Sequence, residues 1–266
     1  MVVYRGFQSM LWYLQFLLCK VFGRYNKEVE VMPKDAFINP LILVPHSDDE
    51  YIGPFSILKN ARGNATCLYF NLFGDDYSEA NMKIRNAEIT SSANFWKFKL
   101  DNNYNCNSCD LVKNLYNHTY IFVPSPYDWH PEHRRVFQTF YEALCLLPVK
   151  EANVKKIFYY SVSVPHRLNE FVNYVPLSRN DVIEKWESFQ RIYKSQSFMP
   201  ALRYKLNLRL VPFKCGYAAQ FYVPVDSNRI KSDYENTKDE LLVTQLDRLI
   251  HNINNIWKIR NVINLK

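Results

Sequence analysis

Apolar and polar positions along the chain alternate between two regimes. Short unbroken apolar runs bounded by turn residues read as strands buried on both faces, and longer stretches with a period near 3.6 read as helices. In order, "LILVPH" predicts a strand, "IGPFSILKNA" a short helix, "TCLYFNLF" a strand and "SEANMKIRNAEITSSANFWKF" a long helix. A polar loop from Asp101 to Cys109 precedes a short helix near Leu111 to Tyr116, the strand "TYIFVPSP" and a helix from Pro131 through Leu147. Proline suits that helix start because its missing N–H would have no partner in the first turn. Strand "KKIFYYSVSV" follows, and later Ser178 caps a helix with Asp181 and Glu184 in its first turn, reaching about Ser195. "GYAAQFYVPV" reads as a strand entering from a turn. Leu242, Leu246, Leu249, Ile253 and Ile256 recur every three or four residues and predict a C-terminal amphipathic helix, packed on the body of the protein or held in a dimer contact.

Strands of this kind alternating with helices predict an α/β fold. The expected architecture is three-layer αβα, with a mostly parallel, Rossmann-like sheet and a C-terminal helical extension. The expected divisions are an N-terminal amphipathic extension over residues 1–36, the αβα domain over 37–230 and a helical tail over 231–266 packed on the domain. Within the first, "SMLWYLQFLLCKVFG" is too short, and too interrupted by Gln15 and Lys20, to span a bilayer. It predicts a helix packed on the core, with a peripheral position in a membrane interface as the alternative. There is no internal repeat, and with 6 glycines in the chain there is no Gly-rich phosphate loop.

Charge and cysteine usage narrow the function classes. The formal net charge of +7 is spread over Arg134-Arg135, Lys155-Lys156 and the stretch Arg203 to Lys214. Such a spread favours an anionic small substrate or a membrane surface, and a nucleic-acid partner is not expected. Six scattered cysteines in an apolar chain of 266 residues argue for a reducing, cytoplasmic setting, peripheral at a membrane if the N-terminal helix binds one. The lone Cys-x-x-C of "NCNSCD" lacks the second pair of a structural zinc site.

Two polar clusters carry the chemistry. "VPHSDDEYIG" sets His46, Asp48, Asp49 and Glu50 behind the first core strand, and "FVPSPYDWHPEHRR" sets Asp128, His130, Glu132 and His133 behind a later one. Ligands collect beyond the carboxyl ends of parallel strands, so the two clusters can meet at one cleft. Two imidazoles and a carboxylate form a standard catalytic zinc set that leaves a fourth position for water or substrate. Neighbouring carboxylates can divide the work, one binding the ion and the other facing the bound water. Taken singly, each cluster also reads as an ordinary charged turn or a surface pair.

Jointly, His-x-Asp-Asp-Glu after the first strand and His-Pro-Glu-His opening a later helix resemble the PIG-L/LmbE family of zinc-dependent sugar N-deacetylases. The resemblance runs from about Ile42 to Phe221. It includes Arg85 and Glu88 of "IRNAEI" at the family's R-x-x-E, and "KWESFQRIYKSQ" like its late helix ending in Ser-Gln. Ser47 replaces the usual proline of H-P-D-D, and Ala219 stands where the family often has glutamate in Y-A-E-x-F. The resemblance implies that His46, Asp49 and His133 bind Zn2+, that Asp48 is the general base, and that His130 is an electrophilic partner. Glu50 is expected to support a ligand or simply to favour the helix start. Arg85, Tyr127 and Asp128 are substrate-contact candidates; for Arg85 a bridge to Glu88 is the alternative. Trp129 belongs to the same wall, and Asp75 and Asp76 are weaker candidates. His118, His166 and His251 match no motif and are read as structural. The implied activity is removal of acetyl from an N-acetylated amino sugar, on a conjugate with a nucleotide, lipid or other phosphate-bearing group. The rival readings are another metal-dependent amide or ester hydrolase and a non-catalytic glycan-binding protein.

Overall fold

The computed structural model describes residues 2–22, 28–72, 78–102, 107–170, 172–199 and 201–248. Its strands are β1 (Glu30–Val31), β2 (Leu41–Val44), β3 (Thr66–Tyr69), β4 (Lys99–Asp101), β5 (Tyr120–Pro124), β6 (Lys156–Tyr160), β7 (Asn173–Leu177) and β8 (Ala218–Val225). The helices are α1 (Val2–Phe22), α2 (Asp49–Ile52), α3 (Phe55–Ala61), α4 (Glu79–Trp96), α5 (Ser108–Asn117), α6 (Pro131–Leu146), α7 (Val149–Asn153), α8 (Arg179–Ile192), α9 (Ala201–Arg209), α10 (Ser227–Asn236) and α11 (Glu240–Asp247). The strands form one sheet in the order β1-β7-β8-β6-β5-β2-β3-β4. Every neighbouring pair is parallel except the two made by β8, which runs against β6 and β7.

Helices cover both faces of this sheet. Successive strand side chains point to opposite faces, so Leu41 and Leu43 of β2 pack with Leu111, Val136 and Phe140 of α5 and α6, while Ile42 and Val44 pack with Ile57, Leu58 and Ile89 of α3 and α4. All four residues of β2 are fully buried, which is why the strand reads as a continuous apolar run rather than an alternating one. The expected αβα architecture with a mostly parallel sheet is therefore observed.

Connectivity positions the site. The chain leaves β2 for β3 and β4 on one side, then returns to place β5 against the other side of β2. Between β2 and β5 the winding reverses, and at such a switch point the loops beyond the two strand ends splay apart and leave a crevice.

Several elements differ from the sequence expectation. The helix expected over "IGPFSILKNA" is two pieces, α2 and α3, broken at Gly53 and Pro54. A Cβ on Gly53 would overlap the Tyr160 ring, so the break is a close approach only glycine permits. "NYVPL" is the strand β7, and the short β1 and β4 extend the two ends of the sheet. Helix α1 packs Trp12, Phe16 and Cys19 against Leu206 and Leu210 at α9. The C-terminal helix is seen as α11, with Leu246 packed beside Trp129 and Val164. Leu249, Ile253 and Ile256 lie outside the described residues, as do Cys106, Asp75, Asp76 and His251. Among the described residues no helix is long and apolar enough to cross a membrane.

Candidate metal centre

The two clusters meet at the switch point. Beyond β2 the chain turns through His46, Ser47 and Asp48 into α2, and the backbone N–H of His46 donates to Asp49 Oδ2 at 2.8 Å. Beyond β5 it turns through Asp128 and His130 into α6, whose first turn carries His133. His46 Nδ1, Asp49 Oδ2 and His133 Nε2 form a near-equilateral triangle, with edges of 3.3 Å between the first two, 3.2 Å between carboxylate and His133, and 3.2 Å between the imidazoles. Tetrahedral ligands about 2.1 Å from one ion stand roughly 3.4 Å apart, so this donor set fits a zinc-like cation. The three residues are the group among the described residues whose donor atoms converge in this way.

Buried carboxylates stand at and behind the triangle, Asp49 in it and Asp128 beside His133. Burial alone would raise the pKa of Asp49, but the imidazoles of His133 and His46 hold it well below the ordinary carboxylate range. Burial likewise opposes a charged His133, yet Asp49 and Asp128 on either side hold its pKa well above the usual histidine value. Asp128 Oδ2 lies 3.5 Å from His133 Nδ1 and accepts backbone N–H groups of Ser163 at 3.1 Å and Val164 at 3.3 Å, while Oδ1 accepts that of His130 at 3.1 Å. One carboxylate thus faces the ring of one candidate ligand and holds the backbone at His130, Ser163 and Val164. His46 turns its other nitrogen, Nε2, toward Glu132 Oε2 at 3.9 Å.

Asp48 stands between His46 and Asp49 in the chain with an unusual backbone. Its φ of 128° lies where side chains with a Cβ are rarely found, and its side chain is buried. Two contacts hold it there: Arg85 Nη2 donates to Asp48 Oδ1 at 2.6 Å, and the Asp48 N–H donates to Glu50 Oε2 at 3.1 Å. Burial pushes the Asp48 carboxyl well above its ordinary pKa, with the Arg85 guanidinium pulling the other way. Burial also raises Glu50 to about 7, against hydrogen bonds from Tyr193, Ser92 and the Asp48 backbone. Behind this pair, Glu88 accepts the N–H of Ser195 at 2.8 Å and its hydroxyl at 2.7 Å. The R-x-x-E of α4 and the segment after α8 are therefore joined directly.

The far end of α2 is held as firmly. Lys185 Nζ donates to the carbonyl of Ile52 at 2.8 Å, and Gln220 Nε2 donates to the same oxygen at 3.0 Å and to that of Gly53. These donors satisfy the carbonyls left open at a helix C-terminus.

The structure thus brings His46, Asp48, Asp49, His130 and His133 to one point, with Glu50 and Arg85 directly behind Asp48. His46 and His130 ring centroids are 5.5 Å apart, and His130 and His133 5.2 Å. His46, His130 and Glu132 are the partly exposed members and mark the mouth. Asp128 is placed behind His133, and the Tyr127 hydroxyl donates to Asp233 Oδ1 of α10 at 2.5 Å. Trp129 is buried against Val164 and Leu246. His118 and His166 are buried and hydrogen-bonded to backbone carbonyls. Sequence reasoning gave no role to Tyr193, Ser92, Lys185 or Gln220, whose partners lie 42 to 168 residues away in the chain. For Glu132 there was a signal, its place between the two histidines of "HPEH".

Fold and site together define an αβα protein with a three-residue candidate metal centre at its topological switch point. Among solved structures, the chain is similar to the conserved protein TT1542 from Thermus thermophilus, with a TM-score of 0.56 and 20% identity over 71% of this chain and 96% of that one. It also matches the antimicrobial reagent A40926 pseudoaglycone deacetylase Dbv21, with a TM-score of 0.46 and 13% identity over 70% of this chain and 96% of that one. At these identities the first likeness shows a shared fold. No protein-family model matches the sequence, and no curated protein matches it.

Proposed function

We propose that this protein is a zinc-dependent hydrolase that removes the N-acetyl group from an N-acetylated amino sugar. The observation that carries this reading is the triangle of donor atoms from His46, Asp49 and His133, with a second buried carboxylate, Asp48, next to Asp49 in the chain. A Zn2+ ion held by these three residues would polarise the amide carbonyl and lower the pKa of a bound water. Asp48 takes the proton of the attacking water, and its burial raises its basicity toward the working pH. His130, at the mouth, donates a ring N–H to the oxyanion of the tetrahedral intermediate. Burial holds its pKa below the usual histidine value, so a neutral imidazole is the donor. The proton taken by Asp48 then passes to the leaving amine. Arg85 keeps Asp48 oriented, and the excess of positive charge suits a substrate bearing phosphate.

The test is metal analysis together with acetate release from a panel of N-acetylhexosamine conjugates. Wild type is expected to carry about one zinc per chain and to release acetate. Asp48→Asn is expected to keep the metal and lose roughly 10²- to 10⁴-fold in kcat, and His133→Ala to lose the metal. A wild type without metal, or an Asp48→Asn variant of full activity, overturns the mechanism. Zinc bound without acetate release from any conjugate overturns the sugar assignment.

A further inference from the structure

Helix α1 is apolar on two sides. One stripe, Trp12, Phe16 and Cys19, is buried against Leu206 and Leu210. The opposite stripe, Phe7, Met10, Leu14, Leu17 and Val21, recurs every three or four residues and stands in solvent, with Leu14 53%, Leu17 56% and Val21 70% exposed. A helix that is apolar all round is normally buried all round, and a contiguous exposed stripe of this kind marks a contact surface. The helix is not long and apolar enough to cross a bilayer, so its second face must be covered from the side.

The charge distribution says by what. Helices α1 and α9 and the segment 210–217 that leads from α9 to β8 carry six basic residues, Arg5, Lys20, Arg203, Lys205, Arg209 and Lys214, and no acidic one. Lys20 is folded back onto the carbonyls of Arg209 and Val211 and Arg203 is buried, but Lys205 and Arg209 are half-buried and Lys214 is exposed. Tyr217, itself 43% exposed, flanks the same edge, with the Arg209 guanidinium between its ring and that of Phe16. A second copy docked here would set two such cationic edges face to face, which like-charge repulsion opposes. An apolar helix stripe beside helices that carry basic residues and no acidic ones is complementary to one partner, a membrane surface bearing anionic headgroups.

We infer that the exposed face of α1 lies in the interface of an anionic lipid bilayer, with the basic residues around α9 against the headgroups. The body of the protein is thereby held at the membrane through the α1–α9 contact. Because α9 also carries Arg203, whose Nη2 is 3.4 Å from the carbonyl of Ser163, the docked edge is continuous with the loop that supports Asp128.

Vesicle flotation of the full chain tests this. The protein is expected to float with phosphatidylcholine vesicles containing about one third phosphatidylglycerol, to do so several-fold less at 0.5 M salt, and to bind pure phosphatidylcholine weakly. The double variant Leu14→Glu/Leu17→Glu is expected to lose at least about ten-fold in bound fraction. Its retained thermal unfolding midpoint reports an intact fold. Ile84→Glu, at an exposed apolar site on α4, is expected to float like wild type. No flotation of wild type, equal flotation of Leu14→Glu/Leu17→Glu, or equal binding to neutral and anionic vesicles overturns the inference. So does a dimer in light scattering that the double variant abolishes without any vesicle binding, which would assign the face to a second copy.

Discussion

Asp48 and Gly53 sit five residues apart at the two ends of α2, and each occupies a conformation or a space that few residues tolerate. The positive φ of Asp48 is held by Arg85 on its side chain and Glu50 on its N–H, so two contacts keep the strain in place. At Gly53 the constraint is space, because a methyl group would meet both the Tyr160 ring and, at 3.1 Å, the carbonyl of Asp49. Gly53→Ala is expected to destabilise the protein by about 1–3 kcal/mol, an overpacking cost read as a lowered denaturation midpoint. Since Asp49 must shift to make room, its metal affinity should fall as well. Asp128→Asn removes the charge that faces His133, and metal affinity should drop roughly 10- to 100-fold while the fold persists, as measured by competition with a chromogenic chelator.

At the scale of elements, α2 is a helix of four residues that could not form alone, since a helix nucleus needs tertiary support. Arg85 and Ser92 from α4, Tyr193 after α8, and Lys185 and Gln220 at its far end supply that support. Helix α8 is in turn fixed by a reciprocal cap: Ser178 accepts the N–H of Asp181 at 3.1 Å, and Asp181 accepts that of Ser178 at 2.7 Å. Ser178→Ala is expected to cost about 1 kcal/mol of stability, seen in urea unfolding. Ser178, with Asp181 in the first turn, and Pro131 at the start of α6 were legible in the sequence because caps are local. Strand β7 was not, because its stability comes from pairing with β8, forty-odd residues later. The same holds for α2 as a separate element, since only the Tyr160 ring explains the break at Gly53.

For the whole molecule, the candidate metal triangle joins the carboxyl ends of two strands, so an ion held there would link β2 to α6 and stabilise the fold. At a free zinc level about 100 times Kd the gain is about 2.7 kcal/mol, equivalent to roughly 5–10 °C in a chain of this size. Differential scanning with and without a chelator reads it directly, and the gain should vanish in His46→Ala. Stability should also depend on pH through His118, which burial holds below its ordinary value of 6.5. The folded state keeps this ring neutral while the unfolded chain takes up a proton below that pH. Its contribution is therefore complete above pH 6.5 and lost as the pH falls through the folded pKa. His118→Gln should flatten that part of the acid-side decline in urea midpoints measured between about pH 7 and 5.

Local pattern in the chain was enough to set the αβα class, the buried strands and the two polar clusters at strand ends, because hydrophobic periodicity and turn chemistry are written over a few neighbouring residues. It also offered His46, Asp48, Asp49, His130 and His133 as one constellation. Folding was needed to make β2 and β5 neighbours at the switch point, which sets three donor atoms within 3.3 Å of one another across 87 residues of chain. The same long-range packing turns Arg85 onto Asp48 rather than toward solvent, sets Asp128 behind a candidate ligand, and leaves one apolar face of α1 uncovered. Those outcomes depend on which distant surfaces meet, and pairing between distant segments is the one property that no local pattern encodes.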